Sequence, residues 1–209
     1  MSFGLVKHNN NSISAITSAG QLAQGKMTLI KEQTASSSSS ISFVDGSSSV
    51  VFDNTYPIYL FKIINCHPSN NDISFQFQAS TNSGSSYGVT ITSTHFRATH
   101  GENGSSEGVS YIGGGDLAQS TSYQLLAGSI GSDNDQSISG EMIIFNPSGT
   151  TLVKQFLTNV NSIAHSDRSN NQYAGGYFNT TSAIDAINFK FSSGTIDSGS
   201  IKLYGIKGS

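Results

Sequence analysis

Apolar side chains recur at every second position in segment after segment of this chain, the period of a half-buried β-strand rather than of a helix. The alternation is cleanest in Ile187-Asn188-Phe189-Lys190-Phe191, where Ile187, Phe189 and Phe191 share one face and Asn188 and Lys190 the other. Ser200-Ile201-Lys202-Leu203-Tyr204 repeats the device with Ile201 and Leu203 inward. Residues 192–199 between them supply Gly194, Gly199 and Asp197, residue types that accept positive φ or bond their own backbone in turns. The pattern therefore predicts an antiparallel pair joined by a connection longer than a tight hairpin.

The same reading extends upstream. Met27–Gln33 and Ser40–Val44 flank a serine run, Ser36 to Ser40, that reads as a solvated connection, and Asp45-Gly46 then turns the chain toward Val50-Val51-Phe52. Ile58–Asn65, bounded by Pro57 and Pro68, is apolar enough for a central strand covered on both faces. Ile73–Ala79 alternates strictly, Val89–Ala98 is β-prone, and Tyr123–Leu126, Ile138–Phe145, Leu152–Val160 and Gln172–Phe178 complete the series. Gly- and Ser-rich segments, among them 82–86 and 101–106, are loops by composition, and Asn146-Pro147-Ser148-Gly149 is a turn.

Roughly ten strands at this spacing predict an all-β fold, a two-sheet antiparallel sandwich of jelly-roll type over residues 27–209, with another Greek-key sandwich as the second choice. The expected core is Phe61, Ile63, Phe75, Phe77, Ile143, Phe145, Phe189, Phe191, Ile201 and Leu203.

Residues 1–26 stand apart, with isolated apolar side chains in a polar, turn-prone background. A free tail gains nothing from Leu5, Val6, Ile13 and Ile16, so the preferred reading is an extended docking arm whose apolar residues anchor on a neighbouring protein. Composition narrows the class further. Charged residues are 11% of the chain, against about 25% in an average soluble domain, so solvation rests on Ser, Thr and Asn. A net charge of −3 with ten Lys and Arg scattered along the chain argues against nucleic-acid binding. Cys66 is the single cysteine and makes no intrachain disulfide. No signal-peptide core and no membrane-length apolar run is present, so the expected site of synthesis and folding is the producing cell's cytoplasm, without membrane insertion.

The runs GYFNTTSAIDAINFKFSSGTIDSGSIKLYGI, TLIKEQTASSSSSISF and FKIINCHPSNNDISFQFQAS resemble small virion structural proteins of tailed bacteriophages, particularly those of aquatic bacteria. The resemblance implies a β-sandwich on the particle surface and leaves open which part of the particle; the layout of arm and sandwich is read as tail-fibre or appendage type, with head decoration as the close alternative that the same layout serves. The resemblance also implies other virion proteins as partners, either the tail or the major capsid protein, and a homotrimer. A host-surface glycan is a further candidate partner, and a carbohydrate-binding or glycan-degrading module is the alternative of another class.

Candidate chemistry is sparse, and the expectation is a non-enzymatic protein without cofactor or metal. Cys66 and His67 are chain neighbours and point to opposite faces of a strand. His95 and His100 also differ in parity and read as surface histidines, with Glu102 nearby but no completing cluster. Asp133-Asn134-Asp135 lacks the spacing of a calcium loop. For a sugar, exposed rings are the feature to seek: Tyr87, Tyr111, Tyr123 and Tyr173 are the aromatic candidates, and Tyr87, Asn103, Tyr111 and Asp133 mark the outward loops expected to carry contacts.

Overall fold

The computed structural model describes residues 27–207. Twelve strands account for its regular structure: β1 (Met27–Thr34), β2 (Ile41–Val44), β3 (Ile58–Pro68), β4 (Ile73–Ser80), β5 (Ile91–Gly101), β6 (Gly108–Tyr111), β7 (Gln124–Ile130), β8 (Ile138–Phe145), β9 (Lys154–Ala164), β10 (Arg168–Phe178), β11 (Ala186–Phe191) and β12 (Ile196–Ile206). Among the described residues there is no helix. Every strand pair is antiparallel. The main path runs β1-β12-β3-β8-β9-β7-β4-β11-β2, and β9 also opens a branch through β10 and β5 to β6. The β7–β9 link is a single bridge, Ile130 to Ala164, and Gln33 Nε2 of β1 donates to Ser42 O of β2, so the two end strands of the path approach and the sheet is nearly closed into a barrel. Closure protects edges that a flat sheet would expose.

Inward parity fills the interior with aromatic rings. Phe189 is fully buried and meets Phe61 at 5.2 Å, Phe75 at 6.2 Å, Phe77 at 6.3 Å and Phe43 at 6.4 Å between centroids. Phe156 and Phe178 extend the cluster from Phe77 toward β9 and β10. Cross-strand register brings these rings together, since Phe77 lies opposite Phe189 and Phe75 opposite Phe191.

Three expectations are corrected. β11 and β12 do not pair: β11 lies between β4 and β2, while β12 lies between β1 and β3. The turn chemistry is real, with Gly194 at φ +71° and a Cβ there lying 2.3 Å from Ser69 Oγ, but the turn carries the chain from one stretch of the barrel wall to another. Its anchors are to the β3–β4 connection: Thr195 N donates to Ser69 Oγ at 2.9 Å and Ser69 N to Thr195 O at 3.1 Å. Second, Ile143 and Phe145 are half-buried on the outer face, and Ile138, Met142 and Ile144 fill the core in their place. β8 is apolar at both parities near its end, and Gly140 and Ile63 oppose each other just before a register irregularity that fixes which parity turns inward. Third, His95 is fully buried rather than superficial, because β5 turns Ile91, Ser93 and His95 inward together; His100 is exposed.

β3 occupies an internal place between β12 and β8, buries Tyr59, Phe61 and Ile63 inward, and also buries Leu60 on its outer side. The serine run is largely exposed, save for Ser38, which bridges to Ile196. Leu5, Val6, Ile13 and Ile16, the expected docking arm, lie outside the described residues.

Candidate functional site on the outer sheet face

The outer face of the wall from β1 to β5 is ordered in rows by strand register. One row carries Met27, Ile206, Ile58 and Phe145 side by side on β1, β12, β3 and β8. The next carries Leu29, Tyr204, Leu60, Ile143 and Leu157, ending on β9. A third crosses eight strands: Glu32, Lys202, Lys62, Glu141 and Asn159, then Tyr173, Phe96 and Tyr111. Lys62 pairs with Glu141, and Lys202 with Glu32 at 3.4 Å, so the charged part of this row is neutralised within itself.

Where the second and third rows meet, β8, β9, β10 and β5 form a trough of about 430 Å³. Phe96, 43% exposed, and Leu157, 53% exposed, stand at its sides. The Phe96 and Tyr173 rings stack at 4.9 Å with 12° between planes. Gly175 lies between Thr94 and Leu157 across the strands, and a Cβ there would come within 3.3 Å of Leu157 Cδ2, so the glycine keeps the floor low. Polar groups converge on the same space. Asn159 Oδ1 accepts from Asn171 Nδ2 at 3.0 Å, Thr94 Oγ1 donates to Gly175 O at 3.3 Å, and Glu141 Oε2 is held by Lys62.

The outward candidates named from the sequence do not form one site. Tyr87 sits on the β4–β5 connection, where its hydroxyl packs over Gly84 beside Val44. Asn103 and Asp133 lie at the opposite end of the barrel, on the β5–β6 and β7–β8 connections; Asn103 Oδ1 accepts from Ser105 N at 3.0 Å, and Asp133 N donates to Gln136 Oε1 at 3.1 Å, so both brace their own loops. Tyr111 is 59% exposed and adjoins the stacked pair through its register partner Phe96, with its hydroxyl on Asp116; that carboxylate raises the phenol's pKa. Tyr123 is turned to structural use, its hydroxyl donating to Asn188 Oδ1 at 3.0 Å and its ring under Lys190 Nζ at 4.1 Å. Only Tyr173 and Tyr111, of the aromatic candidates, belong to the trough or its rim. Phe96, Leu157, Asn159 and Glu141 were missed, although Leu157 carries a signal: it is apolar at the outward parity of a strand whose Phe156, Thr158 and Val160 turn inward.

Elsewhere the chemistry is structural. Cys66 is buried, and burial pushes its thiol pKa up to about 12, far from a reactive thiolate. His67 Nδ1 lies 2.7 Å from Gln136 O, outside any pairing with that thiol. His95 Nδ1 lies 3.3 Å from Gly115 O under the 112–117 loop, and burial lowers its pKa below the ordinary imidazole value. No group of three or more His, Cys, Asp or Glu residues suited to a metal occurs among the described residues. No protein-family model, no curated protein and no solved structure matches the chain.

Proposed function

We propose that this chain is a non-enzymatic structural protein of a phage virion surface, of the tail-fibre or appendage type, whose strands form a two-layer sandwich of jelly-roll type. The layers would be β1-β12-β3-β8-β9-β10-β5-β6 and β7-β4-β11-β2, a division supported by the single bridge that joins β7 to β9. The observation that carries the functional reading is the pair of apolar rows on the outer face of β1, β12, β3 and β8, Met27-Ile206-Ile58-Phe145 and Leu29-Tyr204-Leu60-Ile143, beside the self-neutralised charged row. A sheet that is apolar on both sides needs a second covering layer, and neighbouring copies in a homotrimer supply one on this reading. The low charge and the likeness of three sequence runs to virion structural proteins support the same assignment.

In this account Leu5, Val6, Ile13 and Ile16 dock the chain on another virion protein, leaving the barrel outside. The test has two arms. Gradient-purified particles contain the chain at a fixed ratio to the major structural proteins, and a chain lacking residues 1–26 keeps its thermal transition but fails to incorporate. Absence of the chain from purified particles overturns the assignment; normal incorporation of the shortened chain overturns the docking role.

A further inference from the structure

We infer that the trough between Phe96, Tyr173 and Leu157 is a binding site for a neutral, hydroxyl-rich saccharide, a ligand assignment that rests on the surface reading above and gives it a recognition function. The trough's walls are apolar and aromatic, and each ring of the stacked pair Phe96 and Tyr173 has one face taken by the other, which leaves a second face for a ligand. A pyranose presents C–H bonds on one face and hydroxyls around its rim, and aromatic rings take up the first while polar side chains take up the second.

Both hydrogen-bonding roles are available. With Asn159 Oδ1 occupied by Asn171, the Asn159 amide nitrogen has no other partner among the described residues, and it serves as a donor. Glu141 keeps one carboxylate oxygen beyond the one bound by Lys62, and Thr94 Oγ1, whose proton is used on Gly175 O, keeps its lone pairs; both serve as acceptors. A hydroxyl donates and accepts at once, so a polyol satisfies this mixed set where a purely apolar chain leaves it unpaired.

Charge decides among polar ligands. Glu141 is the one ionisable acid or base among the trough's lining apart from the Tyr173 phenol, and Lys62 beside it cancels its charge, so no cationic excess awaits a phosphate, sulfate or uronate. A neutral ligand is the complement of a neutral trough. The volume, about 430 Å³, lies within the range of small-ligand sites. Four strands, β12, β3, β8 and β9, separate the aromatic pair from β1, so a saccharide there leaves the Met27, Ile58 and Phe145 row free for association.

Affinity electrophoresis of the full-length protein through gels containing dextran, yeast mannan, laminarin or galactan tests the site, with polygalacturonate as the acidic comparator. At least one neutral polymer retards the protein. Tyr173→Ala and Phe96→Ala weaken that retardation about tenfold or more, Asn159→Ala weakens it less, and Leu152→Ala, an exposed residue outside the trough, leaves it unchanged. Failure of all four neutral polymers, preference for polygalacturonate, or equal loss in Leu152→Ala overturns the inference. So does a Tyr173→Ala protein that sediments at lower mass, which gives the trough to a second copy. None of these outcomes removes the chain from purified particles, so the surface assignment stands or falls separately.

Discussion

Adjacent residues of identical chemistry, Ile143 and Ile144, face opposite sides of β8, and truncating each to Ala measures the register of the wall. Ile144 is fully buried, flanked across the strands by Tyr59 and Phe156. Removing three carbons from such a site costs about 2.4 kcal/mol of transfer free energy at ~0.8 kcal/mol per methylene. A residual cavity adds about 1 to 2 kcal/mol, for a total near 4 kcal/mol, within the range of buried Ile truncations. Ile143 lies in the trough wall between Leu60 and Leu157, half-buried, where solvent fills the space left behind. There the loss is about 1 kcal/mol, from partial burial with no closed cavity. Urea unfolding of the two variants, with unchanged dependence on denaturant, therefore separates them by ~3 kcal/mol. Running the titrations at two protein concentrations adds a check: association through the Met27, Ile58 and Phe145 row leaves the difference between Ile143→Ala and Ile144→Ala unchanged, because Ile143 lines the trough and Ile144 the core. Equal costs, or the larger cost at Ile143, would mean that β8 is shifted by one residue, and every outer-face row described above would then be misassigned.

Phe189→Ala removes the ring at the centre of the Phe43, Phe61, Phe75 and Phe77 cluster and costs about 5 kcal/mol, the top of the range for buried Phe; Phe145→Ala, on the outer face, costs about 1 kcal/mol by partial burial, and a reversal in thermal or urea unfolding refutes the inward assignment. His95 adds a pH dependence whose sign follows from its lowered pKa: below the unfolded-state value near 6.5 the unfolded chain takes up the proton first, so the stability from neutral His95 is whole above that pH and is lost as pH falls toward the lowered folded value. The drop in melting temperature from about pH 7.5 to about pH 5 is accordingly smaller in His95→Gln than in the parent; an equal drop shows that His95 does not report burial. Cys66, with its thiol pKa pushed up to about 12 by burial, resists iodoacetamide in the native protein and reacts on unfolding; stoichiometric native labelling contradicts its burial.

Alternation alone reveals much of this fold. Ile73-Ser74-Phe75-Gln76-Phe77 and Ile187-Asn188-Phe189-Lys190-Phe191 announce both their strands and their inward faces, because one parity is apolar and the other polar. Met142-Ile143-Ile144-Phe145 is apolar at both parities, so the period assigns no face and only the pairing with β3 and β9 does. Partner choice is equally hidden. The four residues between β11 and β12 look like a hairpin connection, yet Phe189 pairs with Phe77 and Leu203 with Phe61, contacts set by closure of the wall and separated by more than a hundred residues of chain. The trough shares that difficulty: Tyr173 is visible in the sequence as an aromatic residue, but Phe96, Glu141 and Leu157 come from three other strands and meet it only through register.

Three-dimensional reconstruction of the purified particle tests the central claim most directly. The account predicts the twelve strands on the outer surface of the particle at its tail, not on the head, in threefold groups whose contacts include the Met27, Ile58 and Phe145 row. A particle whose outer surface carries no density of this shape, one that carries it on the head, or a barrel enclosed within the particle, contradicts it.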